Sequence, residues 1–207
     1  AEAAAQLHEE TDYLREAACL NRFRDLLEGI EGIKLPEVYG DWSTDSILSM
    51  SFVSGKPIEE AEETDQHTRD AIMARLIDLT LKEMFDFKLM QSDPNFANYR
   101  FDPQSGDVIL LDFGATRELS EEISMLYRRF FVAGLVNDVD MLEEVSASIG
   151  FVSENMNSSH HRQALDLISI AFEALRAPIF DFTDRSLTQR MQRGGEALAR
   201  DGFVPPV

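Results

Sequence analysis

Cysteine is almost absent from the sequence: Cys19 stands alone among 207 residues, which excludes a disulfide framework. It lies in a helical-looking run beside Ala17, Ala18 and Leu20, with nothing near it to make a thiolate, so a reduced, buried thiol is expected. Long apolar runs are missing as well. No stretch approaches the roughly 18 residues of a membrane-spanning helix, and no secretory signal pattern opens the chain. Basic residues are scarce: 19 Lys and Arg face 38 Asp and Glu, for a formal net charge of -19. That balance argues against a nucleic-acid partner, because such binders concentrate cations to displace counterions. The acidity reads as a solubility feature. There is no internal repeat and no low-complexity linker. The chain begins at Ala1, without Met, inside a helical pattern, so it reads as an N-terminally truncated piece of a longer protein.

What is present can build a core. Hydrophobic residues make up 44% and charged residues 28%, so the chain as a whole is not disordered. Residues 3–28, rich in Ala, Leu, Glu and Arg, predict a helix that stops at Gly29. Residues 46–53 (SILSMSFV) alternate apolar and small polar residues, as a half-exposed strand does. Ser54-Gly55-Lys56-Pro57 then reads as a break, and the expected organisation is a partial small lobe over residues 1–55 and a helical large lobe over 56–207. After an acidic turn, a long central helix is expected to about Leu89. Residues 99–101 and 108–111 predict a β-hairpin around a turn with Pro103 and Gly106. From Ser120, an N-cap candidate followed by Glu121 and Glu122, everything reads as helix, with segments near 139–149, 158–175 and 187–200. The fold class is therefore α+β and mostly helical.

The chemistry concentrates in FKLMQSDPNFANYRFDPQSGDVILLDFGATREL, Phe87 to Leu119. Asp93 follows the long helix, Asn98 stands just before the hairpin, and Asp112 follows its second strand, with Gly114 allowing a sharp turn. A hairpin between Asn98 and Asp112 sets its two open ends side by side. Two oxygen-bearing groups can then hold a hard cation while the third positions a hydroxyl or water, as phosphoryl transfer requires. D-x-x-x-x-N followed by strand-D-F-G is far more specific than its parts, although a structural hairpin remains the competing reading.

These motifs resemble the UbiB (ADCK) family of atypical kinase-like proteins, associated with coenzyme Q biosynthesis. QSDPNFANYRFDP, VILLDFGATRE, EETDYLREAACLNRFR and FVSGKPI carry the likeness. It implies a protein-kinase-like C-lobe with a partial N-lobe, and ATP and magnesium as cofactors. By the same likeness Asp93 matches the catalytic-loop aspartate, Asn98 and Asp112 the metal-binding pair, and Glu16 the glutamate that pairs a strand lysine. Glu10 and Asp12 match the family's E-x-D element near the nucleotide. The expected lysine and the family's K-x-G-Q element would lie upstream of Ala1, so this chain alone is expected to be inactive. The family association also implies a lipid or quinone precursor and other ubiquinone-biosynthesis proteins as partners, with peripheral membrane contact. The bacterial cytoplasm is expected, with the mitochondrial matrix as the alternative. Only five residues separate Gly114 from Ser120, which leaves no room for a peptide-binding activation loop. A nucleotide-sensing scaffold and a small-molecule kinase of the aminoglycoside or choline type are the other readings.

Other features point to packing or solvent. His160-His161 is read as a solvated helix start, and Arg128-Arg129 as an exposed helix face. Met73, Met84, Met90, Met125 and Met141 are expected to fill the core, Trp42 to pack, and Phe180-Asp181-Phe182 to plug locally.

Overall fold

Five helices open on a side chain that accepts the backbone N–H three residues ahead, which fixes where each one starts. Asp12, Asp65, Ser120, Asp138 and Asn157 do this for Arg15, Thr68, Ile123, Met141 and His160. The structure, a computed structural model, describes residues 12–93, 95–152, 156–181 and 183–200. It divides into two compact units, 1–119 and 120–207. That division is one of packing; the lobe boundary expected at 55/56 is one of roles and returns below as a proposal.

In the first unit, helix α1 (Tyr13–Leu26) buries Glu16, Ala17, Leu20 and Phe23 on one face. Gly29 and Gly32, both at positive φ, turn the chain into strand β1 (Ile33–Lys34). Strand β2 (Lys56–Pro57) and a 3₁₀ segment (Ile58–Glu63) lead to helix α2 (Gln66–Lys82), which buries Ile72 and Leu79. A π turn (Glu83–Phe87) and a left-handed Lys88 (φ +51°) end it. Strands β3 (Leu89–Gln91), β4 (Tyr99–Phe101), β5 (Val108–Leu110) and β6 (Thr116–Glu118) complete the unit.

Two sheets result. One has the order β1-β5-β4-β2, with β1 parallel to β5 and the other pairs antiparallel. The other pairs β3 with β6, Gln91 opposite Thr116. Val108, Ile109 and Leu110 are all fully buried, the continuous apolar run of a strand covered on both faces. Their core continues through Leu20, Phe23, Leu79, Leu89, Phe101 and Phe113, and the Phe23 and Phe113 rings lie 5.0 Å apart. The hairpin turn is anchored by Lys34, whose ammonium lies 2.8 Å from Asp102 and 3.1 Å from Asp107. Lys34 holds the Asp102 carboxyl down at about 2.

Three expectations are corrected. Residues 46–53 form no strand: Val38–Met50 and Thr44–Ile47 are isolated bridges, and alternation alone makes no ladder without a neighbouring strand. The Ser54–Pro57 break contains β2, pairing Lys56 with Phe101. Gly55 permits that approach, since a Cβ there would sit 2.5 Å from Ile109 Cδ1. Trp42 is 77% exposed, and Met73 and Met125 also lie on the surface.

The second unit is helical among its described residues: α3 (Glu121–Val136), α4 (Val139–Ile149), α5 (Ser158–Arg176) and α6 (Ser186–Arg200). Its core gathers Phe130, Ala133, Leu142, Val145 and Phe172. Gly134 lies under the Phe172 ring, where a Cβ would come within 2.4 Å. His161 meets Glu143 at 3.1 Å and Arg129 meets Glu144 at 3.0 Å. Phe182 lies outside the described residues. Among the described residues no helix is long and apolar enough to cross a membrane.

Phe23→Ala is expected to lower unfolding stability by about 3–5 kcal/mol, because it opens a cavity against Phe113. Phe52→Ala, at a ring 93% exposed, is expected to change it by no more than about 0.5 kcal/mol. Urea unfolding of the two variants checks the contrast.

Candidate active site

The β4–β5 hairpin does what its position in the sequence predicts: it returns the chain to where it left. The Leu111 N–H donates to the Asn98 carbonyl at 3.1 Å, so Asn98 and Asp112 emerge from adjacent backbone. The Asn98 side-chain amide donates to Asp93 Oδ2 at 3.4 Å. Asp93 and Asp112 line one cavity of about 630 Å³ with Tyr13, Glu16, Leu111 and Gly114. Ile47, Leu48 and Met50 add apolar wall. Asn98 is not part of that wall; it meets the site through Asp93. Asp12 caps α1, its Oδ1 accepting the Arg15 N–H at 3.0 Å, and it does not line the cavity. Glu10 lies outside the described residues.

The Asp112–Thr116 segment is held at every carbonyl. The Gln91 side-chain amide donates to the Asp112 carbonyl. The Phe113 carbonyl accepts from the Thr116 N–H at 3.2 Å and from its hydroxyl at 2.7 Å. The Arg15 guanidinium donates to the Gly114 carbonyl at 2.8 Å and the Thr116 carbonyl at 2.7 Å. Ser92 gives its N–H (3.0 Å) and hydroxyl (2.6 Å) to Ala115. Asp112 Oδ1 meanwhile takes the Gly114 N–H at 2.9 Å. A Cβ on Gly114 would come within 3.3 Å of that same oxygen, so glycine leaves the carboxylate its room.

Electrostatically the cavity is acidic. Glu16, 8% exposed, accepts the Phe113 N–H at 3.4 Å. Its carboxyl is pushed above the ordinary range, by burial first and by Asp112 in addition, against the opposing Phe113 bond. Among the described residues no salt bridge neutralises Glu16, Asp93 or Asp112. Three carboxylates facing one space favour a cation there. Among the described residues no cluster of three or more His, Cys, Asp or Glu is placed to hold a metal ion by itself. The donors instead suit magnesium, which takes one or two protein oxygens and completes its shell from phosphates and water.

Behind the cavity lies a buried polar chain that the sequence reading did not find. Glu83, 4% exposed, accepts the Gln91 N–H at 3.4 Å, and burial lifts its carboxyl to about 7. The Tyr99 hydroxyl donates to Gln91 Oε1 at 3.1 Å. Burial, then the Glu83 and Asp93 charges, push that phenol up to about 12. Gln91 and Ser92 directly precede Asp93 in the sequence, and that position was the available signal. Arg15 had only its place beside Glu16.

A family profile described as the ABC1 atypical kinase-like domain matches residues 1–146. Among curated proteins, the mitochondrial atypical kinase COQ8B of Danio rerio is 34% identical over 95% of this chain and 32% of its own length. The mitochondrial atypical kinase COQ8 of Saccharomyces cerevisiae is 30% identical over all of this chain and 42% of its own. The chain thus spans less than half the length of these relatives. A solved structure, that of the Rv3197–erythromycin complex from Mycobacterium tuberculosis, shares the fold. Its TM-score is 0.74 at 20% identity, over 92% of this chain and 48% of that one.

Because the Glu83 carboxyl is raised from 4.5 to about 7 on folding, the native state holds its proton longer than the unfolded chain. Its contribution is therefore full below pH 4.5 and disappears as pH rises through 7. Glu83→Gln is expected to gain roughly 3 kcal/mol on wild type between those limits, read as the difference between their urea-unfolding curves against pH.

Proposed function

Since the chain belongs to the ABC1 atypical kinase-like family, as its UbiB/ADCK motifs anticipated, we propose that the protein containing it binds Mg-ATP and hydrolyses or transfers the γ-phosphate in support of ubiquinone biosynthesis. The observation that carries this reading is the meeting of Asp93, Asp112 and Glu16 on one cavity at the open end of a hairpin. In it, Asp93 positions the nucleophile, a water or an acceptor hydroxyl. Asn98 and Asp112 hold magnesium, whose charge offsets that of the phosphates. Glu16, on α1, orders a lysine of the same protein. Glu10 and Asp12 approach the nucleotide. Residues 1–55 supply the small-lobe side of the site and 56–207 the large-lobe side.

The acceptor is a small or lipid-like molecule in this reading, not a peptide. Thr116–Glu118 pairs with β3, so the chain after Gly114 is consumed in a sheet where protein kinases extend a platform. Quinone precursors and other ubiquinone-biosynthesis proteins are the proposed partners, met at a membrane surface. The mitochondrial names of the relatives favour the matrix over the bacterial cytoplasm.

The test uses the full-length protein. Wild type is expected to gain thermal stability with Mg-ATP and to turn ATP over, and Asp112→Asn to lose turnover by on the order of 100-fold. Undiminished turnover in Asp112→Asn refutes the metal role. Stabilisation with negligible hydrolysis in wild type moves the protein to the nucleotide-sensing scaffold reading.

A further inference from the structure

Helix α2 ends irregularly, and the irregularity has an effect. Its last turn is a π turn over Glu83–Phe87, followed by Lys88 in a left-handed conformation. Single π turns recur at functional sites, and a non-glycine left-handed residue persists only where its surroundings hold it. Here the two together reverse the chain. Strand β3 comes back over the helix end, so that Gln91, eight residues on, presents its N–H to the buried Glu83 carboxyl.

Gln91 is placed to pass this on. Its N–H is tied to Glu83, and it stands opposite Thr116 in the β3–β6 register. Its side-chain oxygen takes the Tyr99 hydroxyl and its side-chain nitrogen gives to the Asp112 carbonyl. Exchanging oxygen and nitrogen would set Oε1 against the Asp112 carbonyl, two acceptors face to face, so the amide has one working orientation. An apolar side chain in place of Glu83 would leave the Gln91 N–H buried without an acceptor, which is unfavourable enough to shift the strand. A carboxylate is also an odd choice merely to fill space at a site this buried, where desolvation works against it.

We propose that Glu83 is a positioning residue of the candidate active site, acting through Gln91 to fix the backbone that carries Asp112. The proposal rests on the reading of Asp112 as a metal ligand, but its geometric content can be measured apart from it. Buried polar chains of this kind fix a single arrangement when every member is satisfied.

The experiment compares full-length wild type, Glu83→Met and Glu83→Gln, each ¹⁵N-labelled at phenylalanine and glycine, by the amide resonances of Phe113 and Gly114. Methionine keeps the length and removes the acceptor; both resonances are expected to move or broaden, and kcat for ATP to fall up to about tenfold with the nucleotide KM unchanged. Glutamine keeps an acceptor oxygen and is expected to restore both readouts. Gln91→Met is expected to reproduce the Glu83→Met effect, and the double variant to add nothing to it. Glu83→Leu carries the same comparison should the methionine variant not fold. Unmoved Phe113 and Gly114 resonances in the acceptor-less variant, or equal displacement in Glu83→Gln, overturn the proposal. The resonances need neither nucleotide nor turnover. A wild type without ATPase activity therefore removes the functional reading, while the resonances still decide the role of Glu83.

Discussion

The Asp112–Thr116 segment has five consecutive carbonyls and each has a donor. The candidate site depends on this more than on any single charged side chain. A carboxylate becomes a useful ligand only when its backbone has nowhere else to go. The donors come from four places in the sequence: Arg15 on α1, Gln91 on β3, Ser92 after it, and Thr116 within the segment itself. Arg15 reaches across 99 and 101 residues to its two carbonyls. The first helix and the loop after β5 are thereby joined by two hydrogen bonds through one guanidinium.

Charge explains why such restraint is needed. Glu16 and Asp112 are close enough that the second raises the proton affinity of the first, and Asp93 faces the same space. Left to themselves, like charges separate. The Arg15 clamp puts its cation on the backbone beside them and not on the carboxylates, which holds the acidic groups together without satisfying them. That unmet charge is what a divalent cation would answer.

Much of this could be read from residue order. The cap at Ser120, the hairpin over residues 99–110 and the end of α4 at Gly150 follow from local chemistry, and local chemistry is what sequence states most directly. Asp93, Asn98 and Asp112 were legible because a hairpin brings its ends together whatever surrounds it. The family likeness, with its atypical-kinase fold, rested on the same stretch together with EETDYLREAACLNRFR and FVSGKPI. What escaped depends on partners far along the chain. Three-residue strands such as β3 and β6 carry no periodicity of their own, and Lys56–Pro57 looked like a break because Pro and Gly usually interrupt pairing. The alternation in residues 46–53 was genuine but had no ladder to join. Glu83 carried no signal of its own: its burial beside the π turn is a tertiary property. Asp12 lies within the helix expected over residues 3–28, but as the cap it stands outside the helix.

The link between Gly114 and Ser120 contains a single hydroxyl, that of Thr116. It is 3% exposed and bonded to the Phe113 carbonyl. Many protein kinases wait for a phosphate on this part of the chain before they adopt a competent shape. Here an upstream kinase would find nothing to modify without first tearing the strand from its partner. The segment is thus held in one setting by its own strand pairing and by the first helix.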